Sequence, residues 1–391
     1  MAPSALKVLY RLKSKGYLAL LVGGAIRDLY RGKKPRDFDI ATDASIEEIR
    51  AQFRNSKTIG KRFPIVHTYF GNEVVEISSL KGAEDLDKWE LIHADASRRD
   101  FTVNAVYYDI VNFKVIDPLD ALPDILEGRV VPIGEVTERF EEDPIRMLRA
   151  LKLVAKQGFQ LSREVEQTIR EHQDWTTQLG AGRRYEELTR VFLDEDVANL
   201  LDLCHRHGLF ERLWPQGLSL LKTKGIDYFV ENQATIPIVF TRGSFAKQSH
   251  THLWFRMYLD SPYFSPETSP VRNKSRFVAF LGPLGMPFQA PILDTLVWVG
   301  HLIGRTGVRP SGLSGETRDL LSYYAEHLAG DDQERIEKFI ETLPPAKKGR
   351  RQRSRKAQTK NKVKAAPVIE ETTAPKPKRR RRRRRRKAPP N

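Results

Sequence analysis

The stretch from Leu20 to Thr42, LLVGGAIRDLYRGKKPRDFDIAT, constrains this chain more than any other. Apolar Leu20–Val22 leads into Gly23-Gly24, a short helical pattern over Ala25–Arg31 and the basic turn Gly32-Lys33-Lys34-Pro35. Asp37-Phe38-Asp39-Ile40-Ala41-Thr42 then reads as a second strand. Side chains at i and i+2 of a strand leave the same face, so Asp37 and Asp39 converge. Two converging carboxylates repel unless a cation lies between them, and an all-oxygen site suits Mg2+. Glycines let the backbone approach another group closely, and amides at the start of the helix they open bind phosphate. The stretch therefore predicts a metal site beside a phosphate site. The plainer alternatives are a tight turn for the glycine pair and a solvated strand edge for the acids.

Further along, Ala5–Lys15 precedes this region as a helix stopped by Gly16, and Ile46–Phe53 follows it as a helix capped by Asp43 or Ser45. Ile65–Phe70 and Glu73–Ser79 form a hairpin across Gly71-Asn72. Glu76 alternates to the face opposite Val75 and Ile77, as a third metal-facing acid or an exposed one. Polar Gly82–Ala96 predicts a mobile loop, and Arg98-Arg99-Asp100 follows it. Those arginines serve either as a surface ion pair or to neutralise a triphosphate, with Asp100 joining the metal cluster. Asn104 is a candidate contact for sugar or base. Asp117–Gly128 is turn-rich, and Val130–Ile133 is a short strand. A long helix from Thr137 or Glu138 through Lys156 would place Asp143, Arg146 and Met147 at i, i+3 and i+4. Asp143 and Arg146 are then a helix-stabilising pair or a donor and acceptor for a base edge.

Arg183–Phe192 and Val197–His207 read as helices, and Cys204, His205 and His207 fit a helix end rather than a metal cluster. Asp227–Pro291 is aromatic and proline-rich, with Trp254, Phe255 and Tyr258 read as core in preference to RNA-stacking residues. Ile292–Ile303, Arg318–Leu328 and Gln333–Leu343 are helical in pattern.

Charge is unevenly distributed. The 391 residues carry a net +16, but residues 345–391 hold 21 Lys and Arg against two Glu, more than the whole surplus. The rest of the chain is close to neutral. That last segment is poor in apolar residues, which predicts disorder. It contains Arg379, Arg380, Arg381, Arg382, Arg383, Arg384, Arg385 and Arg386 in succession. Such a run neutralises phosphates and releases counterions, and it reads as a sequence-nonspecific RNA tether, with localisation or protein docking as the alternative. A single cysteine excludes an internal disulfide. Neither a signal peptide nor an apolar run of membrane-spanning length is evident, so a soluble, cytoplasmic protein without membrane contact is expected.

The segments LVGGAIRD, DFDIAT, GKRFPIVHTYF, EISSLKG, RRDFTVNAVYYD and EDPIRMLRALKLVAKQGF, in this order, resemble the class II branch of the DNA-polymerase-β-like nucleotidyltransferases. That branch holds bacterial poly(A) polymerases and CCA-adding tRNA nucleotidyltransferases. The likeness runs from about Ala5 to about Pro215. It implies an α+β fold, with a small mixed-sheet catalytic head over 1–118 and a helical neck over 119–195. A mostly helical RNA-binding body and tail over 196–344 and the disordered basic tail over 345–391 complete it. It implies Asp37, Asp39 and Asp100 as catalytic carboxylates, with Glu76 competing with Asp100 as third metal ligand. Gly23, Gly24 and Arg27 would hold the triphosphate, and Arg98 and Asn104 would contact the nucleotide. Asp143 and Arg146 would read the base edge, with Arg149 in support. Two Mg2+ ions, or Mn2+ in their place, would activate the RNA 3′-hydroxyl and stabilise the α-phosphate and leaving pyrophosphate.

The opening motifs, the Gly60-Lys61-Arg62-Phe63 block, Glu141–Gly158 and the Arg-rich tail favour the poly(A) members: ATP as donor, RNA 3′ ends as acceptor, and RNA-decay or RNA-chaperone proteins as partners of the tail. CCA or A addition to tRNA is the alternative. Two departures stand out: a short segment between Glu76 and Arg98, and Asp117-Pro118-Leu119-Asp120 lacking the glycines usual in the family's flexible motif.

Overall fold

The computed structural model describes residues 1–285, apart from 36, 61–63, 72, 81–85, 235–252, 255–256, 266–267 and 269. The helical patterns beyond Pro291 and the Arg379–Arg386 run lie outside the described residues, as does Phe255.

The chain begins with helix α1 (Pro3–Ser14), which ends at Gly16 in the left-handed region, φ 88°. Strand β1 (Ala19–Val22) is buried along its whole length, as its unbroken apolar run requires. Helix α2 (Gly24–Tyr30), strand β2 (Asp39–Thr42) and helix α3 (Ile46–Gln52) follow. Ser45 caps α3 and forms a reciprocal capping box with Glu48. Strands β3 (Ser56–Ile59), β4 (Ile65–Phe70) and β5 (Glu73–Ser79) come next, the last two with the hairpin limits the sequence predicts. Helix α4 (Lys88–Ser97) leads to β6 (Tyr107–Asp109), β7 (Lys114–Ile116) and helix α5 (Leu122–Glu127). The seven strands form one mixed sheet in the order β3-β4-β5-β2-β1-β6-β7, with β2 and β5 parallel. One apolar layer joins α1 and α3 to the sheet through Val8, Ile49 and Ile77. A second contains Leu20, Ala41, Ile92 and Ala96, which seats α4.

Short strands β8 (Arg129–Val130) and β9 (Gln160–Leu161) pair in parallel around helices α6 (Val136–Glu142) and α7 (Ile145–Gln157). Helices α8 (Arg163–His172), α9 (Ala181–Phe192) and α10 (Val197–Arg206) continue the chain. A third apolar core runs from Leu21 and Phe101 beneath the sheet through α7 to Trp214, Trp254 and Phe280. Trp214 and Trp254 meet edge to face with centroids 4.8 Å apart. Their indole N–H groups donate to the Phe280 carbonyl and to Thr189 Oγ1, so neither is left unsatisfied in the core. Trp254 and Tyr258 are thus core residues. Among the described residues no helix is long and apolar enough to cross a membrane.

Several expectations are corrected here. Segment 82–96 is not all loop. Asp87 accepts from the amides of Trp89 and Glu90 and so starts α4, whose Ile92, Asp95 and Ala96 are buried. The turn-rich 117–128 contains α5, started by Asp117, which accepts from the amides of Ala121 and Leu122. The strand expected over Val130–Ile133 is shorter and earlier. The long helix through Lys156 is broken: Asp143 lies at φ −148°, ψ 89° between α6 and α7. Pro144 follows it, lacking an N–H and disfavouring the helical region for the residue before it.

Candidate active site

Strand β1 ends at Val22, whose register partner is Asp39. Beyond it Gly23 turns the chain away at φ 79°, so the backbone before Asp39 loses its partner on the β1 side. Asp37 therefore precedes β2 and does not lie on it, contrary to the sequence expectation. The two aspartates nevertheless line one cleft of about 690 Å3, together with Asp100. Gly24, Arg27 and Asn104 line the same space, as do Arg149, Lys152 and Lys156 of α7 and Lys33 and Lys34 of the basic turn. Acidic and basic side chains thus share one cleft between the head sheet and α7.

At Gly23 the requirement for glycine comes from the backbone. A Cβ would meet Asp39 Oδ2 and Arg99 Nη1 at 3.7 Å, ordinary contact, but φ 79° strains any L side chain. Arg27 is held on both sides: its Nη1 donates to Asn104 Oδ1 at 2.7 Å, and its Nη2 to Asp28 Oδ1 at 2.8 Å. Asn104 Nδ2 in turn donates to Asp100 Oδ1 at 3.2 Å. Arg149 Nη1 stands 3.5 Å from Asp100 Oδ2. Arg27, Asn104, Asp100 and Arg149 form one chain of contacts across the cleft.

Burial pushes the Asp39 carboxyl up to about 6, the neighbouring charges of Glu76 and Asp37 add to the rise, and Arg99 opposes it. The structure holds Asp39 and Glu76 side by side on β2 and β5. Glu76 is half exposed and pairs with His67 Nε2 at 3.1 Å, and it does not line the cleft. Among the described residues no three His, Cys, Asp or Glu side chains converge tightly enough to hold a metal ion unaided. The donor set still fits a hard divalent cation, because it is all carboxylate oxygen and includes a partly buried acid beside two other carboxylates.

Arg98 and Arg99 converge on Asp95 of α4, whose side chain is only 2 % exposed. Arg98 Nε donates to Asp95 Oδ1 at 2.8 Å and Arg99 Nη2 to Oδ2 at 2.8 Å. The Tyr107 hydroxyl donates to the same Oδ2 at 2.6 Å. Burial alone would raise the Asp95 carboxyl, but Arg99, Tyr107 and Arg98 outweigh it and hold it below the ordinary range. Arg98 is therefore spent on Asp95 and is absent from the cleft lining.

The expected pairing of Asp143 with Arg146 does not form. Asp143 Oδ2 takes Arg183 Nη2 at 2.8 Å, while Arg146 Nη1 donates to Glu142 Oε2 at 2.8 Å and to the Arg139 carbonyl at 2.7 Å. The break at Pro144 separates the two side chains that a continuous helix would have aligned. Neither lines the cleft that contains Asp39.

Sequence reasoning missed Lys152 and Lys156. With Arg149 they stand at i, i+3 and i+7, one face of α7, a spacing that could have revealed them. Both lysines reach the buried carboxylate of Asp194, at 3.4 and 3.2 Å. It also missed Asp95, which meets Arg98 at i+3 and Arg99 at i+4, a helical spacing hidden because this segment read as a loop.

A glycine-turned helix start next to two aspartates, one of them on a mixed sheet, fits a nucleotidyltransferase type of cleft. Residues 19–131 match the family model of the poly A polymerase head domain. Residues 158–221 match that of the probable RNA and SrmB-binding site of polymerase A. Poly(A) polymerase I of Salmonella typhi is 34% identical over 234 residues, covering 55% of this chain and 50% of that protein. Poly(A) polymerase I of Haemophilus influenzae is 34% identical over 257 residues, covering 61% and 57%. The CCA-adding enzyme of Bacillus licheniformis is 31% identical over 218 residues, covering 54% and 55%. The chain spans about half the length of these curated relatives. The fold is similar to the crystal structure of the Bacillus stearothermophilus CCA-adding enzyme in complex with CTP, at 23% identity and a TM-score of 0.51 over 88% of this chain and 80% of that one. A CCA-adding enzyme with ATP gives 16% identity and a TM-score of 0.54, covering 87% and 83%. Over the matched regions the chain is similar to poly(A) polymerases and CCA-adding enzymes, and its fold is similar to that of CCA-adding enzymes.

Proposed function

We propose that this chain is a template-independent polynucleotide adenylyltransferase, transferring AMP from ATP to RNA 3′ ends with release of pyrophosphate. The reading assigns it to poly(A) tailing in RNA processing and decay, in the cytoplasm. The observation that carries it is the single cleft that gathers Asp37, Asp39 and Asp100 opposite Arg27 and Arg149. In the reaction the RNA 3′-oxygen bonds to the α-phosphorus and loses its proton, and the bond from that phosphorus to the pyrophosphate oxygen breaks.

Asp37 and Asp39 would hold Mg2+, with Asp100 or Glu76 as the third carboxylate. The bound metal supplies Lewis-acid stabilisation of the charge on the transferring phosphate. Arg27, oriented by Asp28 and Asn104, places a guanidinium where the triphosphate of a bound nucleotide would lie. Gly24 lines the cleft, and a Cβ there would crowd Arg27 Nη2 at 3.2 Å, so glycine leaves that guanidinium unhindered for phosphate; Gly23 turns the chain behind it and does not line the cleft. Arg149 neutralises Asp100 until substrate enters. Asp143 and Arg146 keep their proposed part in reading the base. Both are engaged by Arg183 and Glu142 here, so a base would exchange with or add to those pairs. Most of the rate gain in such a site comes from positioning and charge neutralisation. The large sheet ends at Ile116, next to the head boundary read from the sequence, while the two matched regions run across the boundaries at 118 and 195.

Identity to poly(A) polymerase I supports A addition to RNA; the CCA-adding relatives support the second reading, CCA or A addition to tRNA. Incubating the full chain with a generic 3′-OH RNA and each NTP separately decides between them. Long tails made only from ATP are expected. Extension restricted to tRNA and stopping at CCA would replace the first reading with the second, and no product from any NTP would reject both.

A further inference from the structure

We propose that Arg31 and Arg139 are positioning residues that fix the spacing between the wall of the cleft that carries Asp39 and Asp100 and the wall formed by α7, each binding carbonyls at or just past the end of a helix on the opposite side. The inference rests on the adenylyltransferase reading for its kinetic consequences.

Helix ends leave carbonyls without intrahelical partners and with partial negative charge, so a cation placed there is favourable. Arg139 of α6 reaches across to the end of α4. Its Nη2 donates to the carbonyls of Arg99 at 2.8 Å and Arg98 at 3.3 Å, the two residues immediately before Asp100. Its Nη1 bonds Glu142, which also receives Arg146. One guanidinium therefore ties the turn that aims Asp100 to the segment that carries Arg146. Gly134 lies against it: a Cβ there would meet Arg139 Cδ at 3.4 Å.

The reverse cap comes from the end of α2. Arg31 Nη2 donates to the carbonyl of Gln157, the last residue of α7, at 3.3 Å, and Nη1 to the Ile125 carbonyl of α5 at 3.0 Å. Its guanidinium carbon lies 4.7 Å from the centre of the Phe159 ring. Lys33 adds a bond to the Lys156 carbonyl at 3.3 Å. Helix α2 carries Arg27 and α7 carries Arg149, so this cap sets the distance between the two arginines that close the cleft. The fork of a guanidinium spans two carbonyls, and a lysine can satisfy only one at a time.

The test uses Arg31→Leu, Arg139→Gln, Arg139→Lys and the Arg31→Leu/Arg139→Gln double variant in the full chain. Three measurements are made: urea midpoint, amide hydrogen exchange over 98–104 and 153–159, and ATP kinetics on saturating RNA. Arg139→Gln is expected to lower kcat about tenfold with ATP KM within about twofold, as for loss of a transition-state alignment, and Arg139→Lys to recover part of it. Arg31→Leu is expected to raise ATP KM about fivefold with kcat nearly kept. Each variant should exchange faster at the helix end it uncaps, and the double variant should depart from additivity. Folded variants with wild-type kcat, KM and exchange would overturn the inference. If the wild-type chain extends no RNA, the adenylyltransferase reading fails separately, and unchanged exchange protection still overturns the caps.

Discussion

Asp39 and Glu76 are register partners on the parallel strands β2 and β5, yet only Asp39 opens into the cleft, while Glu76 turns to His67. Two acids on neighbouring strands thus have different surroundings. Burial and the Glu76 charge keep the Asp39 carboxyl near 6 against an ordinary 3.8.

Between those two pH values the folded chain binds more protons than the unfolded one, so its stability falls as pH rises through the window. Asp39→Asn cannot ionise. With divalent cations chelated, its urea midpoint should exceed that of the wild type at pH 8 and match it at pH 3.5. AMP incorporation by the same variant should fall at least about 100-fold with RNA binding nearly intact, read by gel extension and filter binding. A variant that destabilises the chain equally at both pH values would refute the electrostatic account.

Asp95 has the opposite sign. Its folded carboxyl lies below the ordinary 3.8, so its contribution is fully present above that value and is lost as pH falls through the folded one. Asp95→Asn leaves two guanidinium groups with one neutral acceptor. Arg98 and Arg99 are partly exposed, which discounts the cost to about 2–3 kcal/mol from the range for broken buried pairs. Urea titration at pH 7 measures it, and the gap to wild type should narrow toward pH 3.

Cys204 is buried in the core, and burial pushes its thiol up to about 12. Iodoacetamide at pH 8 should alkylate the native chain at least about 100-fold more slowly than the chain in urea. Equal rates would show that α10 is open in solution.

Removing residues 345–391 takes away 21 basic side chains. RNA affinity should drop, and the slope of log affinity against log salt should flatten by about 0.7 for each lost phosphate contact. Single-turnover AMP transfer on saturating RNA should persist. An unchanged slope would reject the tether.

Much of the local structure was legible because its causes are local. The β4–β5 hairpin follows from alternation and Gly71, α3 from Ser45 and Glu48, and the early glycines from the close approach they permit. The helix break at Asp143 was also legible in principle, since Pro144 forbids continuation, but the helical spacing of Arg146 and Met147 masked it. Helix α4 was hidden by the acids and the lysine around Asp87, although the Asp87–Glu90 capping box is a local signal.

By itself the sequence determined which acids and bases exist and in what order: Asp37 and Asp39 after a glycine-opened helix, Asp100 after two arginines, and a basic run at the end. Only the tertiary structure decided their partners. Arg27 goes to Asn104, Arg149 to Asp100, Asp143 to Arg183, and Lys152 and Lys156 to Asp194. Opposite charges attract over distances set by packing, and packing of α4, α7 and α9 around shared apolar cores depends on contacts too distant in sequence for any local period to record.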